Sequence, residues 1–418
     1  MNIFYNTAIA LYSLGAKVAS LRSNKVKKML RGQRRAFSEL AAKAGSLRGC
    51  IWFHAASLGE FEQGRPMIER LRAEHPGKPI LLTFFSPSGY EVRKDFPLVD
   101  AVVYLPFDHP ANVRRFIEAA NPSMAIFIKY EFWGNYLDEL RRRAIPVYII
   151  SAIFRPGQIF FRPWGGQMRR VLRDYTHIYV QDQRSATLLA GIGINNVTVA
   201  GDTRFDRVTD VMKSQTAIPG FPGFGNSFRM TFIAGSSWEA DEERYTPWLK
   251  ENRDIAFIIA PHEFDDNRLA ALQQQFQPGE TMLLSEWSRR AAANGITPPM
   301  QKVRGIIVDS FGKLSSLYRY ARIAYIGGGF GTGIHNINEA AVYGIPVIFG
   351  PNHSKFKEAA DLIAAGGAFT VSSAETFCAT ATRLAGSPPQ LAAAGEAAAG
   401  YISRSIGATD RIYRDIFT

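Results

Sequence analysis

The chain has 418 residues, of which 46% are hydrophobic and 21% are charged, a composition typical of a globular protein long enough for two domains. Its two cysteines, Cys50 and Cys378, are too few for a disulfide framework or a cysteine-rich metal site, which favours a reducing compartment. The net charge of +12 is distributed unevenly along the chain.

Residues 1–48 hold ten Lys or Arg residues against one acid, Glu39, which is +9 of the total charge. The first 16 residues carry no charge and many apolar side chains, but Lys17 interrupts them before the roughly 18 residues that a spanning helix needs. An apolar helix followed by a basic segment predicts association with an anionic membrane surface. Nucleic-acid binding is less favoured because no aromatic residues interleave with the basic ones, and a solvated helix packed on its domain remains an alternative.

From residue 49 onward, short apolar runs alternate with amphipathic segments, which indicates α/β construction. The first series of predicted strands is Ile51–His54, Ile80–Phe84, Ala101–Tyr104, Ala125–Lys129, Val147–Ser151 and His177–Val180. After a stretch rich in glycine and proline, a second series is Met230–Ala234, Ala256–Ala260, Gly305–Val308, Ile323–Ile326 and Pro346–Phe349. The two series predict two Rossmann-like domains facing a cleft, with ligands at the carboxyl ends of the strands.

The predicted organisation has five parts. Residues 1–48 form a membrane-associating helix and basic segment, and residues 49–212 form the N-terminal Rossmann-like domain. Residues 213–228 form a linker, residues 229–395 form the C-terminal Rossmann-like domain, and residues 396–418 form a helix that crosses back to the first domain.

The end of the first predicted strand is followed by Ser57-Leu58-Gly59-Glu60. This Ser-x-x-Glu pattern is typical of a capping box at a helix start, in which Ser57 and Glu60 satisfy each other's backbone amides. A carboxylate at the carboxyl end of a strand is also placed to act on a substrate. Glu60 is therefore a candidate general base, a role typically worth about 10²–10⁴ in rate.

Residues 327–333 read Gly-Gly-Gly-Phe-Gly-Thr-Gly after a predicted strand and before a helix start. The segment is neither a GxGxxG motif nor a Walker loop, because Ile334 stands where each requires a different residue. Glycines let backbone amides approach an anion, and a helix amino terminus adds positive potential. The segment predicts a phosphate site in the donor half of a nucleotide-sugar transferase, with Glu339 placed to accept hydrogen bonds from a sugar. A tight turn without a ligand is the alternative.

Two further features bear on substrates. The chain has no Asp-x-Asp motif, and His262-Glu263-Phe264-Asp265-Asp266 lacks the second histidine of a zincin, so no metal is predicted. Arg204 is a candidate contact for an acidic substrate group, but an ion pair with Asp202 or Asp206 is an equal alternative.

Several ordered motifs together resemble those of the bacterial Kdo transferases, which act on 3-deoxy-D-manno-octulosonic acid (Kdo) in lipopolysaccharide assembly. The motifs are His54-Ala55-Ala56-Ser57-Leu58-Gly59-Glu60, Tyr104-Leu105-Pro106-Phe107-Asp108, Glu131-Phe132-Trp133, Gly235-Ser236-Ser237, Gly327-Gly328-Gly329-Phe330, His335-Asn336-x-x-Glu339, and Gly350-Pro351-Asn352-His353 with Phe356. The resemblance covers nearly the whole chain. One departure is Pro261-His262-Glu263, where the family commonly reads Pro-Arg-His.

The resemblance implies an inverting, metal-independent GT-B glycosyltransferase that needs no cofactor, with an acceptor-binding first domain and a donor-binding second domain. It further implies CMP-Kdo as donor, a lipid A precursor such as lipid IVA as acceptor, and association with the cytoplasmic face of the bacterial inner membrane. Glu60 matches the general base, and Glu131 matches a cleft acid. The positions that match donor-binding elements are Ser236, Ser237, Pro261, His262, Asp309, Lys313, Gly328, Gly329, Phe330, Gly331, His335, Asn336 and Glu339. The alternatives are another GT-B enzyme, such as a UDP-sugar transferase or epimerase, and a catalytically silent membrane-binding protein.

Overall fold

A computed structural model describes residues 3–214 and 217–418. The chain forms two compact units, one of Met1–Arg207 with Ile406–Thr418 and the other of Val208–Ser405. Both are α/β units built on a parallel sheet of seven strands. Within the predicted linker 213–228, Gln215 and Thr216 lie outside the described residues.

The first unit is built on a sheet of order β3-β2-β1-β4-β5-β6-β7. Its strands are β1 Ile51–Ala55, β2 Ile80–Phe84, β3 Ala101–Tyr104, β4 Met124–Ile128, β5 Val147–Ala152, β6 His177–Val180 and β7 Val197–Val199. Its helices are α1 Ile3–Ala19, α2 Asn24–Ala42, α3 Ala44–Leu47, α4 Leu58–Glu74, α5 Pro87–Arg93, α6 Pro110–Ala120, α7 Gly134–Arg142, α8 Gly166–Arg173 and α9 Gln183–Ala190, and α10 Arg204–Lys213 continues into the second unit.

The second unit repeats the plan with the order β10-β11-β9-β8-β12-β13-β14. Its strands are β8 Met230–Ser237, β9 Ile255–Pro261, β10 Thr281–Leu283, β11 Gly305–Ile307, β12 Ile323–Ile326, β13 Val347–Phe349 and β14 Ala368–Thr370. Its helices are α11 Glu239–Glu251, α12 Asp266–Gln274, α13 Leu284–Asn294, α14 Pro298–Gln301, α15 Leu314–Leu317, α16 Asn338–Ala341, α17 Lys357–Ala364, α18 Ala374–Gly386 and α19 Pro388–Ser405, after which α20 Ala408–Phe417 returns to the first unit.

All eleven predicted strands are present, with bounds shifted by at most a few residues. The three strands that the sequence did not reveal, β7, β10 and β14, are three residues long and lie at sheet edges. Edge strands are partly exposed, so they lack the continuous apolar run that marks a buried parallel strand.

The predicted boundary at residue 395 was wrong, because it falls inside α19. This helix stays with the second unit, since Leu391 and Ala394 belong to the core of that unit. The return to the first unit occurs at Gly407, whose φ of 94° is a left-handed value that favours glycine. Beyond it, Ile412 and Tyr413 of α20 are buried in the core of the first unit.

The first helix is attached to its unit through the buried carboxylate of Asp108. That carboxylate accepts hydrogen bonds from the Tyr5 hydroxyl at 2.6 Å and from the Asn135 and Tyr136 amides at 3.0 Å, which caps the amino terminus of α7. The Gly134 amide in turn donates to the Tyr5 oxygen at 2.9 Å. Helix α1 is therefore fixed at its beginning through Tyr5.

The rest of α1 leaves large apolar side chains exposed. They are Ile3, Phe4, Leu11, Tyr12, Leu14 and Val18, all more than half exposed. Helix α2 buries Met29, Gln33, Ala36 and Leu40 along one face, and its basic residues lie on the exposed side. In the described part of the chain, no helix has both the length and the apolar character needed to cross a membrane.

Candidate active site

In the first unit, polar side chains gather where β1 and β4 end. The His54 ring lies fully buried at the end of β1, with Nε2 at 2.8 Å from a carboxylate oxygen of Glu131 and Nδ1 at 2.8 Å from the Thr83 hydroxyl of β2. Glu131 follows β4 and also accepts a hydrogen bond from the Trp133 indole. The Tyr175 hydroxyl donates to the Glu131 carbonyl. The predicted cleft acid is thus a buried and fully oriented carboxylate.

Glu60 lies in the first turn of α4, directly after β1. One oxygen of its carboxylate, Oε2, accepts hydrogen bonds from the Ser57 amide at 2.9 Å and from the Ser57 hydroxyl at 3.0 Å. The other oxygen, Oε1, has no hydrogen-bond partner within the ranges 3–214 and 217–418. The capping role and a catalytic role are therefore compatible, because each uses a different oxygen.

The surroundings of Glu60 raise its pKa. Burial is the largest cause, and the negative charge of Glu131 adds to it, whereas the Ser57 hydrogen bond, His54 and Lys129 act in the opposite direction. A carboxylate with a raised pKa binds a proton more readily, which suits a general base near neutral pH.

Two non-glycine residues near these strand ends have left-handed backbone conformations. Lys129, which follows β4, has a φ of 71°, and Ser151, near the end of β5, has a φ of 52°. The Ser151 hydroxyl lies 2.8 Å from the Thr203 hydroxyl, and the Lys129 amide donates to the Ile150 carbonyl. Such conformations are costly and often accompany functional sites, so they support the assignment of this edge of the sheet.

The structure places Arg204 in an ion pair with Asp202, one of the two predicted alternatives. The guanidinium donates to one carboxylate oxygen from Nε at 2.9 Å and from a terminal nitrogen at 2.7 Å. Burial alone would raise the pKa of Asp202, but the charge and hydrogen bonds of Arg204, with a bond from Gln63, outweigh it and lower the pKa. The other candidate partner, Asp206, instead accepts hydrogen bonds from the amides that begin α20.

In the second unit, the glycine loop follows β12 and contacts two neighbouring strand ends. A Cβ atom at Gly327 would lie 2.1 Å from the Ser236 carbonyl oxygen, and one at Gly329 would lie 2.5 Å from the Gly350 nitrogen. Both distances are far shorter than real Cβ contacts. These two glycines are therefore required for backbone packing within the unit, whether or not a ligand binds.

Several amides of the loop bond within the protein. The Gly328 amide donates to the buried carboxylate of Asp241 at 2.9 Å, and the Gly331 and Gly333 amides donate to the Gly328 carbonyl. Within the described ranges, the amides of Gly329, Phe330 and Thr332 have no acceptor. The anion site predicted for the loop is thereby reduced to these three donors.

The helix that follows the loop is shorter than the sequence indicated. Helix α16 has only four residues, Asn338–Ala341, so it adds little of the positive potential that the sequence predicts for a helix amino terminus here. Asn336 and Glu339 do meet, since the Asn336 amide group donates to the Glu339 carboxylate at 3.0 Å. Asn336 and Glu339, both predicted to bind the sugar donor, therefore form one polar pair beside the loop.

An aromatic stack adjoins the loop. The rings of His262 and His335 are stacked with centroids 4.2 Å apart, and Trp238 lies 4.8 Å from His262 and donates its indole N–H to His335 Nε2 at 3.3 Å. Burial, reinforced by the nearby His262, lowers the pKa of His335 to about 4. His335 is therefore a neutral hydrogen-bond acceptor at physiological pH. Trp238 was missed, because no pattern in the sequence singled it out beside Ser237.

The other residues predicted to bind the sugar donor differ from one another in their contacts. Ser237 is buried and donates to Glu242, whereas Ser236 has a left-handed φ of 53°. Pro261 pairs with Ser237 in the sheet. The guanidinium of Arg244 lies 4.9 Å from the centre of the Phe330 ring.

Asp309 and Lys313 lie at the carboxyl end of β11. The Asp309 carboxylate accepts hydrogen bonds from the Ser285 amide and hydroxyl, and Lys313 lines a cavity of about 300 Å³ that Ser285 and Ser310 also line. The structure thus groups the serines, Pro261, His262 and His335 around the glycine loop. It places Lys313 in the lining of this cavity, and Asp309 holds Ser285 of the same lining.

Comparison with known proteins agrees with these features. A family model described as 3-deoxy-D-manno-octulosonic-acid transferase (kdotransferase) matches residues 29–207. The chain is 28% identical over 403 residues to the 3-deoxy-D-manno-octulosonic acid transferase of Bordetella pertussis, with 90% of this chain and 89% of the relative covered. It is 27% identical over 334 residues to the enzyme of the same name from Aquifex aeolicus, with 77% and 81% covered. The chain is a homologue of the Kdo transferases. The resemblance seen in the motifs is confirmed, and with it the class of enzyme, a glycosyltransferase.

Solved structures agree with the predicted fold class. A UDP-GlcNAc 2-epimerase from Neisseria meningitidis bound to UDP-GlcNAc matches with a TM-score of 0.58 at 14% identity, covering 87% of this chain and 98% of the other. A putative UDP-N-acetylglucosamine 2-epimerase from Listeria monocytogenes matches with a TM-score of 0.55 at 14% identity, covering 89% and 97%. At this identity the likeness shows the fold alone. The predicted GT-B class, with two Rossmann-like domains, is confirmed.

Proposed function

We propose that this Kdo transferase homologue moves Kdo from CMP-Kdo to a lipid A precursor such as lipid IVA, with inversion, in lipopolysaccharide core assembly. The similarity to named Kdo transferases over nine-tenths of the chain supports the sugar that is transferred. The observation that carries the proposal is the Glu60 carboxylate, with Oε2 held by Ser57 and Oε1 left open.

In the proposed mechanism, Glu60 accepts the proton from a primary hydroxyl of the acceptor. The acceptor oxygen forms a bond to C2 of Kdo while the bond from C2 to the phosphate oxygen breaks, and its electron pair leaves with CMP. Glu131 raises the pKa of Glu60 and lies in a rigid network with His54, so its proposed role is to tune the base. General-base assistance of this kind is worth about 10²–10⁴ in rate.

The proposed donor site is the glycine loop of the second unit. The open amides of Gly329, Phe330 and Thr332 would face the CMP phosphate. Because Nε2 of the neutral His335 accepts the Trp238 indole N–H, His335 would donate a hydrogen bond to CMP-Kdo from Nδ1. Donors held in place before reaction stabilise developing negative charge without rearrangement. The proposed transfer uses neither a metal nor a cofactor.

We also propose that the protein associates with the cytoplasmic face of the inner membrane through its amino terminus. The exposed apolar side chains of α1 and the exposed basic residues of α2 support this location. Each basic group near an anionic surface contributes about 1 kcal/mol to such binding.

The donor is tested by thermal unfolding with CMP, CMP-Kdo, UDP and UDP-GlcNAc at equal concentrations. A ligand at about 100 times its Kd stabilises the folded protein by about 2.7 kcal/mol. We expect CMP and CMP-Kdo to raise Tm and the uridine compounds to leave it unchanged. Protection by UDP-GlcNAc alone would instead favour a UDP-sugar enzyme on the same fold.

A further inference from the structure

The first unit contains a polar cavity that Glu60 does not line. It has a volume of about 870 Å³ and is lined by residues of α7 and α8. Its charged side chains are four arginines and two aspartates, which gives the lining a net charge of +2. They are Arg141, Arg169, Arg170, Arg173, Asp138 and Asp174.

The arginines of this cavity differ in whether an acidic side chain neutralises them. Arg141 pairs with Asp174 at 2.8 Å and with Asp138 at 3.2 Å, so its charge is compensated. Arg170 and Arg173 are exposed, and neither has an ion-pair partner in the described part of the chain. Gln167, also in the lining, has a buried side-chain nitrogen without an acceptor. The cavity therefore offers two free cations and one free donor to an anion.

The loop that precedes α8 combines a rigid backbone with exposed apolar side chains. Arg169 donates to the carbonyls of Phe160, Arg162 and Pro163, which fixes the loop. Ile159 and Trp164 nevertheless extend into solvent, at 47% and 74% exposure. Tryptophan is enriched at the membrane–water interface, where the indole meets both an apolar and a polar medium.

The cavity adjoins a smaller one that α1 helps to line. A smaller cavity of about 210 Å³ is lined by Asn6 of α1 and by Asp138, and Asp138 also lines the large cavity. Arg114 and Arg142 line the small cavity as well. Asp138 and Glu139 in the same lining balance these two arginines, so the excess of positive charge belongs to the large cavity.

We propose that the α8 cavity binds the phosphate of an anionic phospholipid, with Ile159 and Trp164 entering the interface of the same bilayer. It would form a second membrane contact beside α1. The guanidinium groups of Arg170 and Arg173 match the geometry of a phosphate. The exposed Ile159 and Trp164 would contact the apolar part of a lipid, which a small soluble anion lacks. The inference extends the membrane association proposed above and is independent of the identity of the donor.

The test is flotation of the full chain with phosphatidylcholine vesicles, with and without phosphatidylglycerol. The cavity variant is Arg170→Gln/Arg173→Gln. Its control is Arg184→Gln/Arg404→Gln, which removes the same charge from two other exposed arginines without ion-pair partners in the described ranges. At about 1 kcal/mol per basic group, we expect the cavity variant to bind anionic vesicles roughly 30-fold more weakly. The control should change several-fold less.

A second measurement reports on Trp164. Brominated phosphatidylcholine quenches tryptophans that enter the interface, so Trp164→Phe should lose part of the quenching seen with the native chain. Equal weakening in the two double variants, or unchanged quenching in Trp164→Phe, would overturn the proposal. Displacement from the vesicles by inorganic phosphate, beyond the effect of chloride at equal ionic strength, would also overturn it by indicating a site for free phosphate. The flotation assay contains neither CMP-Kdo nor lipid IVA. An error in the proposed Kdo transfer would therefore appear only in the transfer assay and not in flotation.

Discussion

Alanine at Gly329 and alanine at Gly331 are expected to have opposite consequences, although both positions lie in the same glycine loop. A Cβ atom at Gly329 would lie 2.5 Å from the Gly350 nitrogen and 2.6 Å from its Cα. At Gly331 the nearest atom would be the Gly328 carbonyl oxygen at 3.6 Å, an ordinary contact. Neither glycine has a left-handed φ, so the pair differs mainly in available space.

The obstacle at Gly329 is backbone and cannot rotate away, so the ends of β12 and β13 must separate. Overpacking of this kind costs about 1–3 kcal/mol. In a unit of roughly 200 residues, each 1 kcal/mol shifts Tm by about 2–4 °C. We therefore expect Gly329→Ala to lower Tm by about 2–12 °C. Gly331→Ala should stay within about 0.5 kcal/mol of the native protein.

Scanning calorimetry of the two variants, with and without CMP, measures both effects. Gly329→Ala should also lose protection by CMP, because the amide at position 329 moves with the strand end. Gly331→Ala should keep its stability whatever it does to CMP binding. If the two variants unfold at the same temperature, Gly329 is not packed closely against the Gly350 backbone.

Three further perturbations have defined outcomes. Tyr5→Phe removes the hydrogen bond to Asp108, so we expect a loss of about 1–3 kcal/mol in a urea titration and earlier proteolysis within α1. Arg204→Met leaves the buried Asp202 charge unpaired, at a cost of about 3–5 kcal/mol. Because the pKa of Asp202 is lowered in the fold, its stabilisation is present above the unfolded pKa of about 3.9 and is lost as pH falls through the folded value. The difference in unfolding free energy between the native protein and Arg204→Met should therefore shrink as the pH is lowered. A difference that does not change with pH would contradict the ion pair. Glu131→Gln removes a negative charge that raises the pKa of the candidate base, so the acid limb of the pH–rate profile should move down by about one unit or less.

The sequence revealed those parts of the fold that depend on local patterns. Buried parallel strands such as Ile80–Phe84 are continuous apolar runs, and their bounds were predicted correctly. The short edge strand Val197–Val199 has partly exposed residues and gives no such signal. The end of the second unit was misplaced because the boundary depends on which unit the rest of α19 belongs to, including the buried Ala398 and Ile402, and that is decided by tertiary contacts.

The candidate site was predictable only one residue at a time. The motif Ser-x-x-Glu located Glu60, but the contact between His54 and Glu131 joins residues 77 positions apart and has no local signature. The glycine loop was recognised as a place of close approach. That Gly329 approaches Gly350, and that Asp241 occupies the Gly328 amide, follows only from the packing of three strand ends.

The most direct test of the account is mass spectrometry of lipid IVA incubated with CMP-Kdo and the membrane-reconstituted protein, beside a Glu60→Gln variant. The account predicts that the native protein adds the mass of Kdo, and that the variant is slower by about 10²–10⁴ while binding CMP normally. If the native protein and the variant react at the same rate, Glu60 acts only as a helix cap. No mass gain with a folded native protein that binds CMP would contradict the proposed acceptor and the transfer itself.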